Sequence, residues 1–355
     1  MTRVNLITGG AGFIGSNLAY GLLRAGERVV LYDNLSRKNV EQNANWLLRG
    51  FPGRAELVVA DIRDRRKLRE CVQRADCVFH LAAQVAVTTS LEEPWEDFEV
   101  NAGGTLNLLE VVRGCDTPPA VFYTSTNKVY GELGDLASAA DDRAKGVLQA
   151  ATLPSVDETR SLDFHSPYGC SKGTADQYVR DYARSYGLTT VVFRMSCIYG
   201  PRQFGTEDQG WVAHFLIRAL HGETITIYGD GRQVRDVLFV SDLVNAFLLA
   251  RENSKRCAGE VFNMGGGASN AVDLLQVVDW AKQLGARPAG IDFASTRVGD
   301  QRYYVSDTSK FSSFTGWRAE VDAQDGVRRL ARWLRSESGH NQRELDTAVW
   351  AEAPR

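Results

Sequence analysis

Tyr168 and Lys172 stand four residues apart in Y-G-C-S-K, a spacing that on a helix brings both side chains onto one face. A free phenol titrates near about 10 and is a poor base at neutral pH; an adjacent ammonium and a cationic nicotinamide together stabilise its phenolate and draw that value down. Thr124-Ser125-Thr126 closes a strand-like run upstream and brings hydroxyls to the same place. Together these residues describe hydride chemistry on an alcohol, with Tyr168 moving the proton and Lys172 tuning it.

Such chemistry needs a hydride carrier, and the N-terminal segment supplies its cradle. Gly9, Gly12 and Gly15 lie in T-G-G-A-G-F-I-G between an apolar run at 4–8 and a helical pattern at 13–25. Backbone without side chains there lets a pyrophosphate approach the helix N-terminus, beside Phe13 and Ile14. Asp33, about 20 residues on at the end of the second strand-like run, fits the acid that accepts both ribose hydroxyls of NAD, with Asn34 next to it. A carboxylate there would repel a 2′-phosphate, although Arg37 and Lys38 could accommodate NADP; NAD is the expected cofactor. Asp61 and Ile62 could bracket the adenine, with a helix N-cap by Asp61 as the alternative. Leu81-Ala82-Ala83 and Thr124 would line the cofactor across the sheet edge, and Lys172 would hold the nicotinamide ribose.

The elements that must position these residues alternate. Strand-like runs at 28–32, 56–60, 77–81 and 120–124 are separated by helical patterns, which predicts an α/β fold with a Rossmann-type, doubly wound parallel sheet. Residues 131–167 hold small and charged residues without sustained period and read as a long loop. A helix at 168–186 and a strand at 189–194 follow. Beyond residue 201 the reading is a turn at 229–236, a helix at 241–251, a strand at 260–264 and a helix at 271–284. The division is a cofactor domain at 1–200, a smaller C-terminal substrate lobe at 201–335 into which some main-sheet segments are interspersed, and a polar tail at 336–355.

Composition excludes other classes. The 355 residues are 44% hydrophobic and 24% charged, an ordinary globular balance with ample core material. Forty-one basic against 44 acidic residues give a net charge of −3, so nothing attracts nucleic acid or anionic lipid. No apolar run approaches the roughly 20 residues that span a bilayer. Cys71, Cys77, Cys115, Cys170, Cys197 and Cys257 are scattered, without a CxxC pair or zinc-ligand spacing. They read as reduced thiols of a cytoplasmic protein whose N-terminus carries no leader and which holds no metal.

By T-G-G-A-G-F-I-G, the Tyr168 to Lys172 spacing and Thr126, the chain resembles the extended short-chain dehydrogenases/reductases that act on nucleotide sugars, from about residue 3 to 335. The resemblance implies that Tyr168 is the acid and base, that Lys172 lowers its pKa and that Thr126 hydrogen-bonds the reacting hydroxyl. Residues 229–236 (G-D-G-R-Q-V-R-D) and 240–242 (V-S-D) are similar to the family's diphosphate segment, which implies that Arg235 binds the substrate pyrophosphate. Arg297, in R-V-G-D-Q-R, resembles a second phosphate arginine; guanidinium forks suit paired phosphate oxygens. It also implies a homodimer or homotetramer built on paired helices, one bearing Tyr168.

The family's 4,6-dehydratases carry Asp-Glu after the catalytic Thr, and Asn127-Lys128 stand there instead. Neither can act as the acid and base of an elimination. S-T-N-K-V-Y-G, D-N-L-S-R-K, L-D-F-H-S-P-Y-G-C-S-K and D-Q-G-W-V resemble the CDP-paratose/CDP-tyvelose 2-epimerases, while Cys197 replaces the Asn usual in R-x-x-N-x-Y-G. A ketone at C4 would acidify only C3 and C5, so inversion at C2 calls for oxidation at C2 itself. Gln84, Asn127, His165, Cys170 and Gln203 are candidates for contacting the sugar, with a structural imidazole at His165 and a packed inward thiol at Cys170 as alternatives. The rival readings are a 4-epimerase, a net NAD(P)H-dependent reductase and a non-catalytic dinucleotide-binding scaffold.

Overall fold

The computed structural model describes residues 2–149 and 152–337. The chain runs through β1 (Val4–Thr8), β2 (Arg28–Asp33), β3 (Ala55–Val59), β4 (Cys77–His80), β5 (Ala120–Thr126), β6 (Thr190–Met195), β7 (Cys197–Tyr199), β8 (Ile225–Tyr228), β9 (Val234–Phe239), β10 (Val261–Met264), β11 (Ala271–Asp273), β12 (Ile291–Ala294) and β13 (Tyr303–Tyr304). Seven of these form one parallel sheet in the order β10-β6-β5-β4-β1-β2-β3. The chain leaves β1 toward β2 and β3, then returns to place β4 on the other side of β1. A crevice therefore opens at the carboxyl ends of β1 and β4, where this topology puts its ligands.

Helices cover both faces because successive strand residues point to opposite sides. Ile7, Leu31, Phe79, Phe122 and Phe193 pack with the helices Phe13–Arg24 and Val240–Glu252. Leu6, Val30, Val78, Val121 and Val192 face the helices Gly104–Arg113 and Ser166–Tyr186. The strands are largely apolar on both faces, as burial on two sides requires, and their buried polar exceptions include Asn5, His80, Arg194 and Asn263.

A second core lies between the helices Trp211–Leu220, Leu274–Gln283 and Ala323–Glu337 and the strands β8 and β9. β9 pairs with β7, β11 and β13, while β12 pairs with β8. The sequence division at residue 200 is interleaved in space: helix Val240–Glu252 and β10 belong to the large sheet's layers.

The stretch 131–167, read as a loop, contains the helix Ala137–Ala144. Its Ala139 and Ala140 pack with Leu153, Val234 and Tyr303, so tertiary contacts fold a segment without its own apolar period. The expected helix at 271–284 begins only at Leu274 because Ala271–Asp273 pairs antiparallel with β9. The polar tail begins inside the last helix, and residues 338–355 lie outside the described residues. No helix among the described residues is long and apolar enough to cross a membrane.

Candidate active site

Thr126 ends β5 and caps the short turn Asn127–Tyr130, its Oγ1 accepting from Lys128 N at 3.2 Å. Tyr168 and Lys172 sit in the first turns of helix Ser166–Tyr186, with Pro167 at the helix start, where its fixed φ suits a helix and no N–H is missed. Ser90 Oγ accepts from Tyr168 N at 3.1 Å, tying the helix to the segment after β4. Both side chains are deeply buried, at 9% exposure for Tyr168 and 3% for Lys172. Lys172 Nζ donates to Thr124 O at 2.5 Å and lies 4.3 Å from the centre of the Tyr123 ring.

Burial dominates the titration of both. It pushes Tyr168 up to about 12, against the pull of the hydrogen-bonded Thr126 hydroxyl and of Arg37. It drives Lys172 down to about 7, against the attraction of Asp176 and Asp97. Lys172 directs its ammonium at Thr124 O, and the groups that lower Tyr168 are the Thr126 hydroxyl and Arg37; the expected acidification of the phenol couples Lys172 to a cationic nicotinamide. Asp97 was not foreseen; its carboxylate is held by Ser171, by Gln84 Nε2 at 2.8 Å and by Asn101 Nδ2 at 3.2 Å.

The glycine turn fits a dinucleotide. A Cβ on Gly15 would lie 2.3 Å from Gly9 O and one on Gly9 would lie 2.7 Å from Ala82 N, so these two close the strand-to-helix turn. A Cβ on Gly12 meets only Gly9 O, at 3.2 Å; its other side is open, where a pyrophosphate would rest. The helix starting at Phe13 and Ile14 has no side-chain cap, leaving N–H donors for an anion. Asp33 accepts from Ala11 N at 3.0 Å and Leu35 N at 2.8 Å, fixing its carboxylate at the turn, while burial raises its pKa against these bonds. Leu81 and Ala82 follow β4, bonded to Thr8 O and Thr8 Oγ1, and Ala83 continues them with its side chain half-buried. Thr124 Oγ1 donates to His80 O at 3.2 Å.

Two cofactor expectations change. Asp61 is gripped by Arg63 at 2.8 Å and by Asn34 at 3.2 Å, which lowers its pKa to about 2. The following helix is capped by Asp64 rather than Asp61. Ile62 is buried against Gly104, with its carbonyl taken by Asn107, so its side chain does not line an open cleft.

On the substrate side, Gln84 spends its amide on Ala86 N, Ala86 O and Asp97; it staples its own loop instead of offering an amide to a sugar. Asn127 Nδ2 donates to Gln301 Oε1 at 3.2 Å and its Oδ1 accepts from Thr126 Oγ1 at 3.3 Å, beside the triad. His165 faces Glu132 and Asp163 at 3.5 and 3.3 Å, with its side chain 43% exposed. Cys170 is exposed rather than packed inward. Gln203 is buried, donates to Ile198 O and leaves Oε1 without a partner, as an acceptor awaiting a ligand donor would be. Cys197 accepts from Trp211 Nε1 at 3.4 Å, so the position of the usual Asn is packed, not polar. Arg235 Nη2 donates to Asp300 Oδ1 at 2.7 Å and to Gln301 O. Arg297 stacks 3.7 Å from the Tyr228 ring centre and donates to Glu207 O at 2.9 Å. Lys128, Asp300 and Gln301 thus join the site unforeseen; the one sequence signal was Lys128 itself, standing where a dehydratase has an acid.

A doubly wound sheet with a glycine-rich first turn and a buried Tyr-Lys-Thr group at the carboxyl end of β5 defines an enzyme of the extended short-chain dehydrogenase/reductase class. Residues 5–265 match the model of the NAD dependent epimerase/dehydratase family. The chain is 43% identical over 343 residues to CDP-paratose 2-epimerase of Salmonella typhi, covering 93% of this chain and 99% of that one. It is 31% identical over 336 residues to UDP-glucose 4-epimerase of Mycolicibacterium smegmatis, covering 94% and 99%. The structure of UDP-glucuronic acid 4-epimerase from Bacillus cereus, in complex with UDP-glucuronic acid and NAD, is similar with a TM-score of 0.81 at 27% identity, covering 94% of this chain and 100% of that one. The chain belongs to the NAD dependent epimerase/dehydratase family, and its cofactor is NAD.

Proposed function

We propose that the protein inverts C2 of a CDP-linked hexose or deoxyhexose by transient oxidation to a 2-keto sugar. NAD, when bound, accepts a hydride and gives it back, so the cofactor is unchanged over a cycle. Tyr168 removes the C2 hydroxyl proton and later returns it, while Thr126 hydrogen-bonds the same oxygen. Lys172 holds the cofactor ribose and keeps the ammonium close enough to favour phenolate once a second cation stands beside the phenol. Gly9, Gly12 and Gly15 with the helix N-terminus hold the pyrophosphate of NAD, and Asp33 its adenosine ribose. Arg235 and Arg297 anchor the substrate diphosphate, so that the sugar alone turns over between the two hydride transfers. Asn127 and Gln203 guide the sugar.

The observation that carries the reaction type is Asn127-Lys128 after Thr126, which leaves the redox group without the acid and base of an elimination. The likeness to a CDP-paratose 2-epimerase supports C2 over C4. Incubation with CDP-, UDP-, GDP- and dTDP-sugars, with NMR to locate the inverted carbon, tests it. Inversion at C2 of a CDP-sugar is expected; inversion at C4 of a UDP-sugar would replace this reading by the 4-epimerase.

We further propose a dimer through the helices Val87–Glu92, Pro94–Phe98 and Ser166–Tyr186, supported by exposed Leu91, Phe98, Tyr178 and Trp95, the last at 70% exposure. Buried apolar surface of that kind is what subunit contacts use. A cytoplasmic location is proposed on the six free cysteines.

A further inference from the structure

We infer that Lys128 is a specificity-determining residue that contacts the sugar-linked phosphate and thereby places C2, not C4, at Tyr168 and Thr126. The inference rests on the C2 reading above and adds a residue to it. Lys128 lies two positions after Thr126, with its N–H held by the Thr126 hydroxyl. Its ammonium donates to Gly299 O at 3.0 Å and stands 3.5 Å from Asp300 Oδ1. The same carboxylate oxygen accepts from Arg235 at 2.7 Å, so one anion is shared by two cations and the group carries a surplus positive charge. All three side chains are largely shielded from water, where an unbalanced charge is costly unless a counter-ion arrives. Burial pulls the pKa of Lys128 down, Arg235 adds to that, and Asp300 opposes it. Beside this cluster lies a cavity of about 300 Å³ lined by Gly229, Gln233, Thr296 and Asp300, and Gln233 Oε1 is buried there without a partner.

The geometry of a nucleotide sugar explains why the cation belongs here. C2 is bonded to the anomeric carbon that carries the phosphate, whereas C4 lies across the ring. An enzyme that presents C2 to Tyr168 must therefore bring the phosphate up to the end of β5, and a cation at residue 128 receives it. An enzyme that presents C4 keeps the phosphate a ring-width further away, and an acid at this position would repel the C2 orientation outright.

The test uses the full-length, NAD-loaded protein and calorimetric titration with CDP, UDP, GDP and dTDP, followed by the monophosphate of whichever binds most tightly. Lys128→Met is expected to weaken the diphosphate by about tenfold, a loss of about 1.4 kcal/mol, and the monophosphate by less than twofold; Lys128→Arg should keep most of the difference. Lys128→Gln, which retains a donor for Gly299 O, gives the same comparison if the Met variant melts early. Equal losses for both nucleotides, or none for either, would overturn the inference, since a merely structural lysine cannot distinguish them. The carbon inverted is read separately: C4 inversion alongside a diphosphate-selective loss removes the C2 reading while the phosphate contact stands.

Discussion

Replacing Lys172 by methionine should stabilise the fold and cripple turnover at once. Burial lowers this lysine from an ordinary 10.5 to about 7, so the folded state disfavours the charged form that the unfolded chain keeps. At pH 7 that mismatch costs about 4 kcal/mol. Methionine fills the same space without it, but gives up the bond to Thr124 O and the contact with the Tyr123 ring, worth about 1 kcal/mol each. A net gain of about 2 kcal/mol at pH 7 is expected from these terms. The sign follows from proton counting: between pH 7 and 10.5 the unfolded chain binds the proton more than the folded one, so wild-type stability rises with pH across that window. The variant lacks that rise, so its advantage of about 2 kcal/mol shrinks by about 1.4 kcal/mol per pH unit, the two curves cross between about pH 8 and 9, and the wild type is the more stable towards pH 10.5. Urea unfolding of the cofactor-free protein at several pH values measures it, with kcat falling by about 10² or more because the phenol loses its partner. Parallel stability curves from pH 7 to 10.5 would refute the reasoning.

Three further outcomes follow from the same geometry. Tyr168→Phe should lower kcat by about 10² to 10⁴ with KM little changed, since the lost hydroxyl moves a proton only in the reaction; steady-state kinetics decides. Asp33→Ala should weaken NAD and improve NADP relative to it, read by cofactor titration, because a carboxylate no longer faces the 2′ position. Asp176→Asn should destabilise the fold by about 3 to 5 kcal/mol, because Arg194 holds that carboxylate through two bonds of 2.9 Å inside the core; denaturant unfolding reads it.

What was legible in the sequence is what local rules encode. Strand, glycine turn and helix at residues 4–24 follow from periodicity and from backbone that tolerates no Cβ at Gly9 and Gly15. The Tyr168 to Lys172 pair follows from helical spacing, given weight by Thr124-Ser125-Thr126 at the end of an upstream strand. Partners distant in the chain were not legible: Asn127 meets Gln301, and Lys128 meets Asp300, only because the smaller lobe folds back across β5. Gln84 and Ile62 looked available because a sequence does not show that Asp97 and Gly104 already occupy them. The helix Ala137–Ala144 escaped for a related reason: its ordering comes from Val234 and Tyr303, not from its own pattern.

A nucleotide sugar deuterated at C2 probes the core claim with one spectrum. Turned over in ordinary water, it should yield product inverted at C2 with the deuterium still on that carbon, returned by the resident cofactor. Loss of the label to solvent, or a product unchanged at C2, would contradict oxidation at that carbon by Tyr168 and its neighbours.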